Sequence, residues 1–148
     1  MGNNLSTVIS LLALVVSIFV GITNANREKN IKKRDLNDKI FLHVYLEYMT
    51  QKIPEAVAKV SIVGNGELSG AKEYAEVLRT VKRKSIYYRY EDKEFYDEIV
   101  DKLGDLEDYL VNNLNGKHTG DAQQEVLDKI QKKTKEIYRV LTEKRMKL

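Results

Sequence analysis

The residue types that most often perform acid–base or nucleophilic chemistry are scarce in this sequence. It contains two histidines, His43 and His118, and no cysteine. Without cysteine there is no thiol nucleophile, no zinc–thiolate or iron–sulfur ligation and no disulfide framework. His-Glu-x-x-His, phosphate-binding Gly-rich and Gly-x-Ser-x-Gly motifs are also missing from the sequence. We therefore predict a protein that is not an enzyme and that holds no cofactor or metal.

The two histidines have ordinary structural explanations. His43 lies in an apolar stretch, which favours a buried, hydrogen-bonded histidine over a metal ligand. His118 lies between Gly116 and Gly120, in a segment predicted to be a loop.

Four aspartates recur at helical spacing and share one face of a predicted helix; they are Asp97, Asp101, Asp105 and Asp108. Oxygen ligands of this kind bind divalent cations, but ligands on a single helix rarely converge on one ion. Lys93 and Lys102 lie nearby in the sequence. We therefore expect a solvated acidic face.

A basic stretch free of acidic residues is the candidate partner or anion patch; its bases are Arg79, Lys82, Arg83, Lys84 and Arg89. Tyrosines lie among these bases, and such an arrangement can hold phosphates and stack nucleic-acid bases. The net charge of +3 is too small to indicate nucleic-acid binding by itself. We expect pairing with the chain's own acidic helix first, then contact with a membrane or a protein, and a nucleic-acid partner last.

Charged residues are absent from the first part of the sequence and abundant in the rest, which must position the residues above. The chain has 148 residues, and all 25 basic and 22 acidic side chains lie from Arg27 onward. The uncharged stretch Leu5–Ile22 is about 27 Å long as a helix, close to the ~30 Å of a bilayer core. It predicts a single transmembrane helix within residues 1–26. A cleaved signal peptide is the alternative, but such signals begin with basic side chains and have a shorter apolar region.

A basic juxtamembrane segment, residues 27–34, follows the predicted span. Its candidate headgroup contacts are Arg27, Lys29, Lys32, Lys33 and Arg34. The positive-inside rule then leaves the N-terminus outside and the body, residues 35–148, in the cytoplasm.

One face of the predicted span carries small residues within about 80° of arc: Ser6, Ser10, Ala13, Ser17 and Gly21. In lipid, close backbone approach at small residues drives helix association. This face predicts packing against another copy or a membrane partner, although small residues also cluster in spans by chance.

The sequence of the body, residues 35–148, predicts a cytoplasmic bundle of about four helices, so the predicted fold class is all-α. The first helix, about 35–52, is rich in apolar residues and should be central and mostly buried, although a strand also fits so short a run. Pro54 suits the start of a short helix over 55–63, within which residues 60–63 could form a strand instead.

Three longer helices follow, over about 70–88, 92–114 and 121–147. Ser69 is the predicted cap of the first, and Thr119 or Asp121 that of the last. Gly116 is placed at the end of the middle helix. Residues expected to face the core recur at helical spacing in each, and most of them are apolar; they are Ala71, Tyr74, Ala75, Leu78, Val81 and Ser85, then Phe95, Ile99, Leu103, Leu106, Leu110 and Leu114, then Val126, Ile130, Thr134, Ile137 and Leu141.

The charges of these helices alternate, because an acidic block at 91–108 separates basic blocks at 79–89 and 129–147. Folded antiparallel, the acidic helix can lie beside both basic ones.

These patterns together predict a membrane-anchored interaction protein. Its span assembles with copies of itself or with a membrane protein, its basic segment meets lipid, and its bundle binds a cytoplasmic protein. The alternative is an oligomerising membrane effector of the toxin, holin or phage-defence kind that perturbs the bilayer. A composition rich in Lys, Asn, Ile and Tyr suggests a bacterial or phage source.

Overall fold

A computed structural model describes the backbone of residues 2–148 and the side chains of residue 17 and residues 20–148. In chain order the elements are α1 (Gly2–Glu47), a π-helical turn (Tyr48–Lys52), α2 (Ile53–Lys59), β1 (Ser61–Ile62), β2 (Leu68–Ser69), α3 (Ala71–Lys84), a 3-10 turn (Ser85–Tyr87), α4 (Tyr88–Glu91), α5 (Lys93–Asn113) and α6 (Asp121–Lys147). The chain divides into two compact units, residues 1–39 and residues 40–148. The predicted all-α fold is confirmed, with one two-stranded hairpin added.

Helix α1 is continuous from Gly2 to Glu47, so the predicted boundary between a first helix and a second one near residue 35 is wrong. Neither proline nor glycine occurs between Ile22 and Ile53, and nothing in that sequence therefore ends a helix. Residues 20–36 are exposed. Among the residues that the structure describes, no helix is long and apolar enough to cross a membrane. The predicted span, residues 5–22, falls mostly on side chains outside the described residues and stays a prediction.

The second unit is built on three amphipathic helices whose apolar stripes are those predicted. All six stripe residues of α3 and its following turn are buried, as are all five of α6. In α5 the first five stripe residues are buried and Leu114 is half-buried. Helix α5 packs against both α3 and α6. The order of the helices in the bundle thus follows the predicted alternation of charge.

The end of α1 contributes one face to this core. Phe41, Tyr45 and Tyr48 are buried, whereas Leu46 is exposed. The prediction of a mostly buried helix here is wrong, because the apolar residues surround the helix and only one side meets the bundle. His43 is exposed, so its predicted burial is also wrong. It follows Phe41 by two residues, a step of about 200° that places it on the opposite side of the helix.

Two helix starts differ from the predicted caps because glycine occupies the cap position. Ser69 pairs with Ser61 in the hairpin, and Gly70 precedes α3 with φ of +75°. Gly120, rather than Thr119 or Asp121, precedes α6. Helix α5 starts at Lys93, close to the predicted start at residue 92. The side chain of Asp92 caps it by accepting a hydrogen bond from the Phe95 backbone N–H.

Hydrogen bonds between side-chain hydroxyls join the helices inside the apolar core. The Tyr45 hydroxyl donates to Ser85 Oγ at 2.8 Å, and Tyr74 Oη lies 2.8 Å from Thr134 Oγ1. Ser85 and Thr134 each donate in turn to a carbonyl one turn earlier in their own helix. Burial raises the pKa of both tyrosines well above the usual range, so these bonds stay intact at physiological pH.

The hairpin is held by the loop that precedes α6. The His118 backbone N–H donates to the Gly66 carbonyl oxygen at 2.8 Å. Gly66 has φ of +84°, and a Cβ there would lie 2.8 Å from the His118 carbonyl oxygen. Only glycine permits both the backbone angle and this close approach. The predicted loop at His118 therefore has a structural role against the hairpin.

Candidate functional site: the basic edge of α3 and its groove

Some bases of the candidate patch form ion pairs with carboxylates of the same chain, and others do not. Arg79 Nε lies 2.6 Å from Glu107 Oε1, and Lys82 Nζ lies 3.0 Å from Glu107 Oε2. Arg79 also contacts Glu76. Two of the five bases therefore join α3 to α5, as the expected pairing with the acidic helix requires.

Glu107 is the acceptor at the centre of this contact. Its side chain is 13% exposed. Desolvation raises the pKa of Glu107, but the hydrogen bonds and charges of Arg79 and Lys82 lower it by more, and the net pKa lies below its ordinary value. The carboxylate is thus held in its charged form between two helices.

The other three bases have no carboxylate partner within the described part of the chain. Arg83 Nη2 donates to the neutral Thr80 Oγ1 at 3.2 Å. Lys84 Nζ lies 5.1 Å from the centre of the Tyr48 ring, a cation–π distance. Arg89 is exposed. Positive charge at the end of α3 is therefore only partly neutralised by the protein itself.

An open groove of about 360 Å³ lies beside these bases and is lined by Lys82, Arg83, Ile86, Tyr96 and Val100. Its apolar side chains come from the 3-10 turn and from α5, and its two cations come from α3. A neighbouring cavity of about 290 Å³ shares both cations and extends to Glu107. Sequence reasoning identified the bases but missed the groove, because it forms only where the end of α3 meets the first half of α5.

A second charged pair, absent from the sequence predictions, lies against the aromatic core. Lys144 Nζ is 2.7 Å from Asp92 Oδ2, and it is 5.5 Å and 5.4 Å from the ring centres of Tyr88 and Phe95. Tyr45 stacks on Tyr88 with ring centres 5.9 Å apart. The Lys144 side chain is only 12% exposed. This pair fixes the end of α6 to the start of α5 and has a structural role.

Three of the four aspartates predicted to share a face of α5 form ion pairs, and the fourth, Asp108, is exposed. Asp97 contacts Lys93, Asp101 lies 3.4 Å from Lys102, and Asp105 contacts Lys133 of α6. Throughout the part of the chain that the structure describes, no three His, Cys, Asp or Glu side chains are grouped so as to hold a metal ion.

The structure does not bring the predicted membrane residues into a site. The five juxtamembrane bases are exposed on α1, and Lys32 pairs with Glu28 at 3.7 Å. Of the predicted packing face, Ser17 and Gly21 are exposed, and a Cβ on Gly21 would meet nothing within 4 Å. The side chains of Ser6, Ser10 and Ala13 lie outside the described residues.

Comparison with protein-family models, with curated proteins and with solved structures finds no match to this chain.

Proposed function

We propose that the chain is a single-pass, membrane-anchored interaction protein whose helical bundle binds a cytoplasmic protein partner. The observation that carries the proposal is the segregation of charge along the sequence. Leu5–Ile22 is uncharged, and five bases follow it within residues 27–34. A span of this length matches the bilayer core, and the bases mark its cytoplasmic end.

The helical backbone of α1 supports the anchor. A membrane-spanning segment must satisfy its own backbone hydrogen bonds, which a helix does. Helix α1 begins at Gly2 and continues through the basic segment. The bases at residues 27–34 are exposed, and bases at the end of a span attract anionic headgroups by about 1 kcal/mol each near the surface.

The small-residue face supports assembly through the span. Ala13, Ser17 and Gly21 follow one another at intervals of four residues, the spacing that lets two helix backbones approach closely in lipid. We propose that a second copy of the chain, or a membrane protein, packs on this face.

The acids and bases that pair within the bundle support an interaction role over catalysis. Asp92, Glu107 and Asp105 are each bound to a basic side chain of another helix. Such groups stabilise the bundle and are not free to exchange protons with a substrate. The partly neutralised bases at the end of α3 remain available to a partner.

The proposal is tested in two stages on the full-length chain in its membrane. Resistance to carbonate extraction is expected for an integral anchor, and release into the soluble fraction would contradict it. Chemical cross-linking should then give homo-oligomers that Ala13→Leu/Ser17→Leu removes. The matched control, Val8→Leu/Val15→Leu, enlarges the opposite face of the predicted span and should leave the oligomers intact. Monomers in both the wild type and the variant would assign the span to anchoring alone.

A further inference from the structure

The groove beside the end of α3 combines an apolar lining with an excess of positive charge. Ile86, Tyr96 and Val100 provide the apolar surface, and the side chain of Ile86 is 47% exposed. Tyr96 and Val100 are half-buried. A volume of about 360 Å³ accommodates one or two large side chains of a binding partner.

The charge balance around the groove indicates the chemistry of its occupant. The groove and the adjoining cavity together are lined by three bases, Arg79, Lys82 and Arg83, and by two acids, Glu76 and Glu107. Arg79 contacts both acids and Lys82 shares Glu107. The guanidinium of Arg83 donates to the neutral Thr80 hydroxyl and has no carboxylate partner among the described residues. A carboxylate of a binding partner could pair with Arg83, because an arginine guanidinium binds a carboxylate through two parallel hydrogen bonds.

The shape and surroundings favour a peptide over an anionic membrane surface. The lining residues form an open, shallow groove where the end of α3 meets α5, and its three apolar side chains suit an apolar side chain of a peptide better than a layer of lipid headgroups. Asp97 and Asp101, which directly follow Tyr96 and Val100 in α5, are paired with Lys93 and Lys102, so among the described residues Arg83 is the base of the groove that lacks a carboxylate partner. An amphipathic helix can place apolar side chains in the groove and its carboxylates towards Arg83 alone.

From these contacts we infer that the groove binds an acidic amphipathic helix of a partner protein. An aliphatic or aromatic side chain of that helix enters between Ile86, Tyr96 and Val100, and a carboxylate about one turn away pairs with Arg83. The inference rests on the proposed function only in that the bundle binds a protein, and it does not depend on the membrane anchor.

The test is selection of binders to the full-length chain, purified in a neutral detergent, from a displayed library of amphipathic helices with randomised charged positions. We expect the enriched sequences to carry aspartate or glutamate three or four residues from a large apolar residue. Binding of a fluorescein-labelled enriched peptide is then measured by fluorescence anisotropy. Arg83→Glu and Ile86→Asp should each weaken binding by about tenfold or more, whereas Arg83→Lys should retain part of it.

Lys135→Glu is the matched control, because Lys135 is an exposed base of α6 that does not line the groove. It should bind the peptide as the wild type does. Circular dichroism of each variant separates loss of binding from loss of folding. No enrichment, enrichment of basic sequences, or unchanged binding by Arg83→Glu would overturn the inference. Displacement of the peptide by phosphatidylserine added to the micelles, dependent on Arg83, would make a lipid the occupant and also overturn it.

The outcome is distinguishable from failure of the proposed anchor. If carbonate extracts the chain but the chain binds the selected peptide, the membrane anchor is contradicted and the inference about the groove is supported. If the chain resists extraction but binds no peptide, the membrane anchor is supported and the inference about the groove is contradicted.

Discussion

The Tyr138 hydroxyl donates a hydrogen bond to the Met49 carbonyl oxygen at 2.6 Å, joining α6 to the π-helical turn. In a π-helical pattern each carbonyl accepts from the residue five positions later. For Met49 that residue is Pro54, which has no N–H. Tyr138 of α6 therefore donates to the Met49 carbonyl oxygen the hydrogen bond that Pro54 cannot donate.

We expect Tyr138→Phe to lower the free energy of unfolding by about 0.5–1.5 kcal/mol, because the Met49 carbonyl loses its donor. In a Pro54→Ala background, where residue 54 has an N–H, the same substitution should cost less. Urea denaturation of the full-length chain, followed by circular dichroism, measures both costs. Tyr90→Phe removes a hydroxyl from an 84% exposed ring and should change nothing. Equal costs of Tyr138→Phe in the two backgrounds would contradict this explanation.

Lys144→Met should lower the free energy of unfolding by about 1–3 kcal/mol. The substitution keeps the apolar stem but leaves the half-buried Asp92 carboxylate without its ammonium partner. Arg145→Met alters the exposed neighbouring base and should lie within about 0.5 kcal/mol of the wild type. A double-mutant cycle with Asp92→Asn isolates the pair, and a coupling energy near zero would show that the two side chains are independent.

The stability of the bundle should fall in acid. Desolvation raises the pKa of Asp92, but the bonds from Lys144 and the Phe95 N–H lower it by more, and the pKa of Glu107 is lowered in the same way by Arg79 and Lys82. A carboxylate with a lowered folded-state pKa stabilises the fold above its unfolded pKa of about 4. That contribution is lost as the pH falls through the lower, folded value.

Urea midpoints measured from pH 7 to pH 2 test this dependence. Asp92→Asn and Glu107→Gln should each be less stable at pH 7 and show a shallower loss below about pH 4 than the wild type. Asp128→Asn, an exposed residue hydrogen-bonded to Gln124 in its own helix, should follow the wild-type curve. Parallel curves for Glu107→Gln and the wild type would exclude Glu107 from the acid response.

Gly70→Ala should destabilise the bundle by about 1–3 kcal/mol. Gly70 has φ of +75°, and a Cβ would collide with the Lys59 carbonyl oxygen at the end of α2. Gly64 lies in the same hairpin region with open space around its Cβ position. Gly64→Ala is therefore the matched control, and we expect thermal unfolding to shift little with it. Similar midpoint losses in the two variants would contradict the close approach at Gly70.

The stripes of α3, α5 and α6 were predictable because each repeats at the helical period and each faces one core. The caps at Ser69 and Thr119 were not, because capping preferences compete with other uses of the backbone. Ser69 is a strand residue opposite Ser61, and glycine precedes both helices. His43 was misplaced because a run of apolar residues does not say which side of its helix meets the core.

For the candidate site, sequence predicted the pairing of the acidic helix with bases on both sides, since blocks of opposite charge attract. It did not predict the groove lined by Ile86, Tyr96 and Val100, because a groove depends on which residues of separate helices come together. The same limit applied to Lys144 and Asp92, which lie far apart in the chain and meet only when α6 packs beside α5.

The order of the helices also has a consequence for synthesis on the ribosome. Helices α3 and α5, which carry Arg79, Lys82 and Glu107, are synthesised before α6. At about 5–20 residues per second, α6 follows over a few seconds. Until then the Tyr74 hydroxyl lacks Thr134 and the apolar side of α5 that α6 covers is open to other nascent chains or chaperones.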